Sequence, residues 1–520
     1  MGVMREPFDV VVAGAGLGGL ASALALVGSG HRVALVEAHT EVGGKVAVAR
    51  VEGREIDCGP TVLTMRPVFE ELFAAAGLRL DDHVELLPLD LLARHAWPDG
   101  SVLDLFADEA ATTEAIAAFA GAREAQGYRR YASYSAKLLD RLEEPFLRHD
   151  NGGLARLLWR AGPRRMAGLA RVDFARTMWR ALGEFFADPR LRQLFARYAT
   201  YYGSSPFSAP ATLNLISRVE QRGVWAVRGG MIALARAIAA AFVAKGGTLL
   251  TAAWVERLAT ERGRVCAVHL GDGTQLRCRQ VVFNGDPQQL TSGRLGDTVR
   301  HAVRTSRAPA SLSAMTWSMM ARPRGLELAY HTVCFSADYA DEFAALFDRK
   351  RVPANPTVYL CAPDRIAGIP QGSERLFCLI NAPAGAHAHA QDDESTCRAQ
   401  MEQCLSSCGL TLNASSPEVW ATPQTFGARF PGTQGAIYGT ATHGALAPFR
   451  RYRSATRVAN LWLVGGAIHP GAGLPMVTLG GLSVARSIHA DLGLTRPSAP
   501  AAICGGISTV STTVGASPSR

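Results

Sequence analysis

The sequence predicts an α/β protein built on a parallel sheet with helices on both faces. Three observations lead there. FDVVVA (8–13) is a continuous apolar run, as in a strand buried on both sides. GAGLGG (14–19) follows at once and opens an Ala/Leu-rich helix that ends near residue 30. HRVALVEA (31–38) returns as a second apolar strand, so residues 8–38 form one βαβ unit.

Composition bounds the rest. A chain of 520 residues holds about three domains at the usual domain size. With 48% hydrophobic and 19% charged residues it can build a large core, which excludes general disorder. One residue in ten is Gly, which points to tight turns and close backbone approach to a ligand. The formal charge of +9 suits nucleic acid, an anionic membrane or a phosphate-bearing cofactor, so its location matters. The ten Cys form no CxxC pair. Cys404 and Cys408 can share a helix face, but no further ligands complete a metal site, and none is expected. Residues 10–30 carry no charge over a length that could span a membrane, yet Gly14, Gly16, Gly18 and Gly19 break that run. No spanning helix is expected, and the start MGVMREPF lacks the apolar core of a secretory signal.

The glycine turn fits GxGxxG at Gly14, Gly16 and Gly19. The first permits the tight turn, the second lets a pyrophosphate approach a helix N-terminus, and the third allows helix–strand packing. Glu37, at the end of the second strand, can accept hydrogen bonds from an adenosine ribose. Strand, turn, helix and acid together point to dinucleotide binding. EVGGKV (41–46) adds Gly43, Gly44 and a cation, Lys45. It resembles the second fingerprint of FAD enzymes of the glutathione-reductase and amine-oxidase superfamily, where Arg is more usual. Lys keeps the charge beside a phosphate but not the bidentate fork. REIDCGPTVL (54–63) carries Asp57, Gly59, Pro60 and Thr61, and its D-x-G-P-T pattern resembles carotenoid desaturases.

The C-terminal LWLVGGAIHPGAGLPMVTLGG (461–481) resembles the signature of bacterial carotenoid desaturases, with HPGAG at His469–Gly473. The resemblance implies that Gly465, Gly466, Gly473, Leu474, Pro475 and Met476 meet the pyrophosphate and flavin edge, and that Gly59–Thr61 lie at the flavin ring. It also implies an adenine contact from Val255, while a lone His469 reads as structural rather than catalytic. VVFNGDP (281–287) resembles the family's return strand, with Asn284, Gly285 and Asp286. The likeness covers all but residues 497–520. LPMVTLGG is closest to the branch that desaturates 1-hydroxycarotenoids at C3,4, because phytoene desaturases usually have Gly where Met476 stands.

Taken in order, residues 1–100 read as the first part of a Rossmann-like FAD-binding domain, and 101–220 as mainly helical, facing a membrane. Residues 221–290 return to α/β character, with TLLTAAWVERLAT (248–260) read as strand and Val255 placed at a strand end after TLLTAA. Residues 291–455 form a mixed-sheet substrate domain, 456–496 close the FAD domain, and 497–520 form a disordered tail. The stretch 154–197 holds ten Arg against three acids, interleaved with Leu, Phe and Trp. It reads as basic amphipathic helices on an anionic membrane, with a solvated basic face over an ordinary core as the alternative. No nucleic-acid motif accompanies the charge.

The expected protein is therefore an FAD enzyme, cytoplasmic and peripheral on a bacterial inner membrane, acting on an acyclic carotenoid. The resemblance implies removal of H2 from a C–C bond in spheroidene/spirilloxanthin-type biosynthesis. No residue is assigned as catalytic. The candidate electron acceptors are quinone and oxygen. Alternatives are desaturation of phytoene or neurosporene, a flavin amine oxidase, and a non-catalytic polyene-binding flavoprotein.

Overall fold

The computed structural model describes residues 7–150, 172–306, 308–385, 394–414 and 417–495. Phe8–Ala13 is flanked by Val33–Val36 and by Gln275–Phe283, both parallel to it. Thr248–Leu250 adds beyond Val33–Val36, and Leu461–Leu463 pairs parallel with the end of Gln275–Phe283. The first half of that long strand runs antiparallel to Arg264–Leu270, which pairs with Val255–Glu261. The four central strands end on one edge of this seven-stranded sheet, at Ala13, Val36, Phe283 and Leu463. Ligands of open α/β sheets bind at that edge.

Helix Leu17–Gly28 is buried almost entirely because helices surround it. Leu474–Thr495 comes so close that a Cβ on Gly481 would lie 2.7 Å from the Gly18 carbonyl oxygen. The Ser22 hydroxyl reaches the carbonyls of Gly18 (2.9 Å) and Gly481 (3.3 Å) in the same contact. The first and last helices of the described chain thus pack as one unit.

A second, eight-stranded sheet has Ser313–Gly325 as its spine, paired with Glu374–Ala382 and with Leu410–Ala414. Beyond Glu374–Ala382 follow Val358–Cys361, His331–Cys334, Leu91–Ala96 and Val102–Phe106. Leu91–Ala96 pairs parallel with His331–Cys334, so the chain enters the second sheet before residue 100. Helices Glu109–Ala120 and Ala122–Leu142 cover its far half through an aromatic cluster that includes Tyr131, Phe186 and Phe195.

One local reading changes. TLLTAAWVERLAT is split: Thr248–Leu250 joins the parallel sheet, and Ala252 turns with φ +53°. Val255 therefore opens a strand instead of ending one. The Arg-rich segment lies outside the described residues from 154 to 171. In its described part, Arg176 pairs with Asp173 and Glu184, and Arg190 pairs with Asp188 and Asp99. Arg197 is buried. These charges serve intramolecular pairs, and 172–197 is not a uniform basic face. Residues 497–520 also lie outside the described set. Among the described residues no helix is long and apolar enough to cross a membrane, and no His/Cys/Asp/Glu group could hold a metal. Cys404 and Cys408 are buried beneath the second sheet.

Candidate active site

The turn after Phe8–Ala13 shapes one wall of the site. Gly14 holds φ +104°, which L side chains avoid. A Cβ on Gly19 would lie 2.0 Å from the Gly14 carbonyl oxygen, so Gly19 is a packing residue and not part of the cavity wall. Gly16 has an ordinary backbone, φ −65° and ψ 166°. A Cβ there would lie 2.7 Å from Asn284 Oδ1. Glu37 is buried, and its carboxylate accepts the N–H of Ala15 (2.7 Å) and of His39 (3.0 Å). The acid thus ties the glycine turn to the neighbouring strand end.

The second glycine pair packs on the first. Gly43 and Gly44 take φ +115° and +60°. A Cβ on Gly44 would approach Gly16 Cα to 3.0 Å. Lys45 turns inward: its Nζ donates to the Ile437 carbonyl (2.6 Å) and lies 5.6 Å from the Phe430 ring centre. Burial lowers its pKa to about 8, against the pull of Asp286. Gly59 is required because a Cβ would lie 1.9 Å from the Lys45 carbonyl oxygen. Asp57 is a helix cap: it accepts the N–H of Met231 (2.7 Å) and Ile232 (3.3 Å) at the start of Met231–Ala244.

These elements enclose a cavity of about 530 Å³. Gly14, Gly16, Glu37, Gly43, Gly44, Lys45, Gly59, Pro60, Val255, Gly465, Gly466, Gly473 and Leu474 all line it. It runs from the strand-end edge of the first sheet to Ala314, Thr316, Phe377 and Leu379 of the second. Helices Leu17–Gly28 and Leu474–Thr495 both begin at its wall, where their N-terminal dipole ends favour anions. Asn284 Oδ1 is buried at the glycine wall with no hydrogen-bond partner, while its Nδ2 donates to the Val464 carbonyl (3.1 Å). A side-chain-free cradle, an acid at one end and two helix N-termini fit an extended dinucleotide such as FAD.

Thr61, Pro475 and Met476 fall instead on a second cavity of about 240 Å³. The two cavities share Gly59, Pro60, Phe377, Leu379, Tyr438, Ala472, Gly473 and Leu474. The shared wall is where Gly-Pro and HPGAG converge. The second cavity is mostly apolar, with Leu147, Leu215, Ile216, Val219 and Val333 among its lining. Several of its polar groups pair with one another. Thr61 Oγ1 lies 2.6 Å from the Tyr359 hydroxyl, which lies 2.7 Å from His331 Nδ1. Tyr198 donates to Glu220 (2.6 Å), as does Tyr201. Met476 packs with Val68, Leu139, Leu147, Val219 and Leu479 behind this wall.

His469 is structural. It is buried, its Nε2 lies 2.7 Å from the Phe146 carbonyl, and burial lowers its pKa to about 4. The His469–Pro470 peptide is cis. Asn284, Asp286 and Trp254 line the first cavity without having been singled out as site residues. Their signal was present, since VVFNGDP places Asn284 and Asp286 at a strand's carboxyl end. The contribution of Ala314 and Thr316 had none, because only the tertiary fold brings the second sheet beneath the site.

Residues 17–489 match the family described as flavin-containing amine oxidoreductase. A hydroxyneurosporene desaturase from Rubrivivax gelatinosus is 43% identical over 98% of this chain and 99% of its own. One from Cereibacter sphaeroides is 44% identical over 93% of this chain and 98% of its own. Cyclohexylamine oxidase from Brevibacterium oxydans superposes with a TM-score of 0.56 at 18% identity, covering 94% of this chain and all of that one, a likeness of fold.

Proposed function

The chain belongs to the flavin-containing amine oxidoreductase family, and from that membership we propose that it is an FAD-dependent carotenoid desaturase acting on hydroxyneurosporene. The two hydroxyneurosporene desaturases aligned with nearly the whole chain support this reading. The observation that carries it is the junction of two cavities: a glycine-walled one shaped for a dinucleotide, and an apolar one that takes the end of a long hydrocarbon. An amine oxidase reading rests on the family model and on a likeness of fold at 18% identity.

Bound FAD supplies a two-electron acceptor for hydride. The protein's own part is placement and exclusion of water. Gly14, Gly16, Gly43 and Gly44 let backbone N–H groups reach the pyrophosphate. Glu37 would hold the ribose, and Val255 with Trp254 would flank the adenine. Gly59–Pro60 and Gly473–Leu474, which line both cavities, would bound the flavin edge where the substrate arrives. The substrate end would lie over Leu379 and Tyr359 against Leu215, Ile216 and Val219, an apolar lining that disfavours water at the reacting carbons. The bond addressed is C3–C4, next to the hydroxylated end. The substrate enters from a bilayer on which the protein docks peripherally at the cytoplasmic face.

The test is product analysis after incubating the membrane-reconstituted enzyme with 1-hydroxyneurosporene. The product loses two hydrogens by mass, and its absorbance shifts to the red. Equal turnover of unhydroxylated neurosporene overturns the hydroxycarotenoid reading. Oxidation of polyamines in its place overturns the desaturase.

A further inference from the structure

The apolar cavity has one polar corner that the protein leaves incompletely paired. Glu342, on helix Tyr339–Phe347, is 1% exposed and lines the cavity. Its Oε2 accepts from Ser336 Oγ (2.6 Å) and from Thr357 Oγ1 (2.7 Å). Its Oε1 is buried with no partner. Burial raises the Glu342 pKa to about 6, opposed by the Ser336 and Thr357 bonds. An unpaired carboxyl oxygen in apolar surroundings is unfavourable until something donates to it. The other acid on this wall, Glu220, is already occupied by two tyrosine hydroxyls.

The strand register locates this corner. Thr357 precedes strand Val358–Cys361 and shares a face with Tyr359 two residues on. Tyr359 stands opposite Leu379, which lines both cavities. One strand spacing and two residues of rise put the Thr357 position roughly 8 Å from the shared wall. In a 1-hydroxycarotenoid the hydroxyl oxygen is three and four bonds from C3 and C4, about 4–5 Å. A substrate end with its hydroxyl in the Glu342 corner therefore presents C3–C4 toward the junction.

We propose that Glu342 Oε1 accepts the hydrogen bond of the substrate's terminal hydroxyl, making Glu342 the residue that sets preference for hydroxylated polyene ends. The proposal rests on the desaturase reading. Glu342 acts by positioning and touches no reacting carbon. A polyene without the hydroxyl leaves Oε1 buried and unpaired, which is how a hydrogen-bonding site rejects an apolar analogue. A methoxy end can accept but not donate, so an ionised Glu342 disfavours it as well.

The experiment compares wild type, Glu342→Leu and Glu342→Gln as FAD-loaded enzymes in vesicles, with 1-hydroxyneurosporene, 1-methoxyneurosporene and neurosporene. Glu342→Leu is expected to lower kcat/KM on the hydroxylated substrate about 10–100-fold while changing neurosporene less than about 3-fold. The effect falls mainly on KM. Glu342→Gln retains an oxygen for Ser336 and Thr357 and turns an N–H toward the substrate. It is expected to narrow the gap between hydroxy and methoxy substrates at unchanged flavin content, and it decides the matter if Glu342→Leu does not fold. A hydroxyl preference that survives both substitutions, or equal losses on all three substrates, overturns the assignment. If wild type does not desaturate 1-hydroxyneurosporene, the functional reading fails first, and the two failures are distinguishable.

Discussion

Gly16→Ala separates cofactor binding from folding more cleanly than any other change in the glycine turn. Its backbone conformation suits alanine, so the methyl imposes no backbone strain. The methyl would lie 2.7 Å from Asn284 Oδ1. Relief requires that side chain to shift by about half an ångström, which endangers its bond to the Val464 carbonyl. One such bond contributes about 1 kcal/mol. In a chain of this size that lowers the apoprotein Tm by under about 3 °C. The effect on FAD is larger, because Gly16 lines the cavity where the pyrophosphate is expected to lie. Pushing the phosphates away stretches about two charge-assisted N–H bonds, each worth about 1.5–3 kcal/mol. Loss of about 3 kcal/mol raises Kd roughly 100-fold. The assay is titration of apoprotein with FAD, followed by flavin fluorescence, beside thermal melts of both proteins. A Kd within about 3-fold of wild type refutes the placement of the pyrophosphate at Gly16. Gly19→Ala is the control: a contact of 2.0 Å to the Gly14 carbonyl oxygen forces backbone apart and destabilises the apoprotein itself, by about 3 kcal/mol.

Lys45→Met tests the inward-turned, half-buried cation. The folded pKa of about 8 lies below the ordinary value of 10.5, so between them the unfolded chain binds the extra proton. Wild-type stability therefore gains from Lys45 as pH rises through that window. Urea midpoints at about pH 7.5 and about pH 10 should show the gain in wild type and not in the variant, and equal differences at both pH values refute it. Met476→Ala removes a side chain packed among Val68, Leu139 and Leu479 and should destabilise by about 2–4 kcal/mol, read as a denaturant midpoint. It also enlarges the second cavity, so the turnover ratio of neurosporene to 1-hydroxyneurosporene should rise. Gly481→Leu drives apart the first and last helices at Gly18 and should lower both Tm and flavin content. Retained flavin with a normal Tm would show that this contact is not needed.

What the sequence disclosed and what it hid differ in physical kind. The glycines at 14, 16, 43, 44, 465 and 473 were legible because a positive φ or a close approach at those points disfavours any side chain. Glu37 was legible because it ends a strand whose apolar run identifies it as central. Local chemistry also set the hairpin at Gly271–Thr274 and the helix after HPGAG. The turn at Ala252 was hidden, because a non-glycine residue at φ +53° leaves no compositional mark, and so Val255 was placed at the wrong end of a strand. The Arg-rich stretch is ambiguous for a related reason. Charge interleaved with Trp and Phe reads the same on a membrane-facing helix as on one whose arginines pair inward. Only the fold shows Arg176 with Asp173, or Arg197 beside Glu220 at 4.0 Å. The polar corner around Glu342 is the extreme case. It brings together Ser336, Glu342 and Thr357 with the opposite strand, and nothing in SADYADEF distinguishes its one buried acid from its surface neighbours Asp338 and Asp341. Cofactor binding in this chain is thus written in backbone constraints that a sequence exposes, whereas selection of the substrate end is left to a side chain that only tertiary packing makes special.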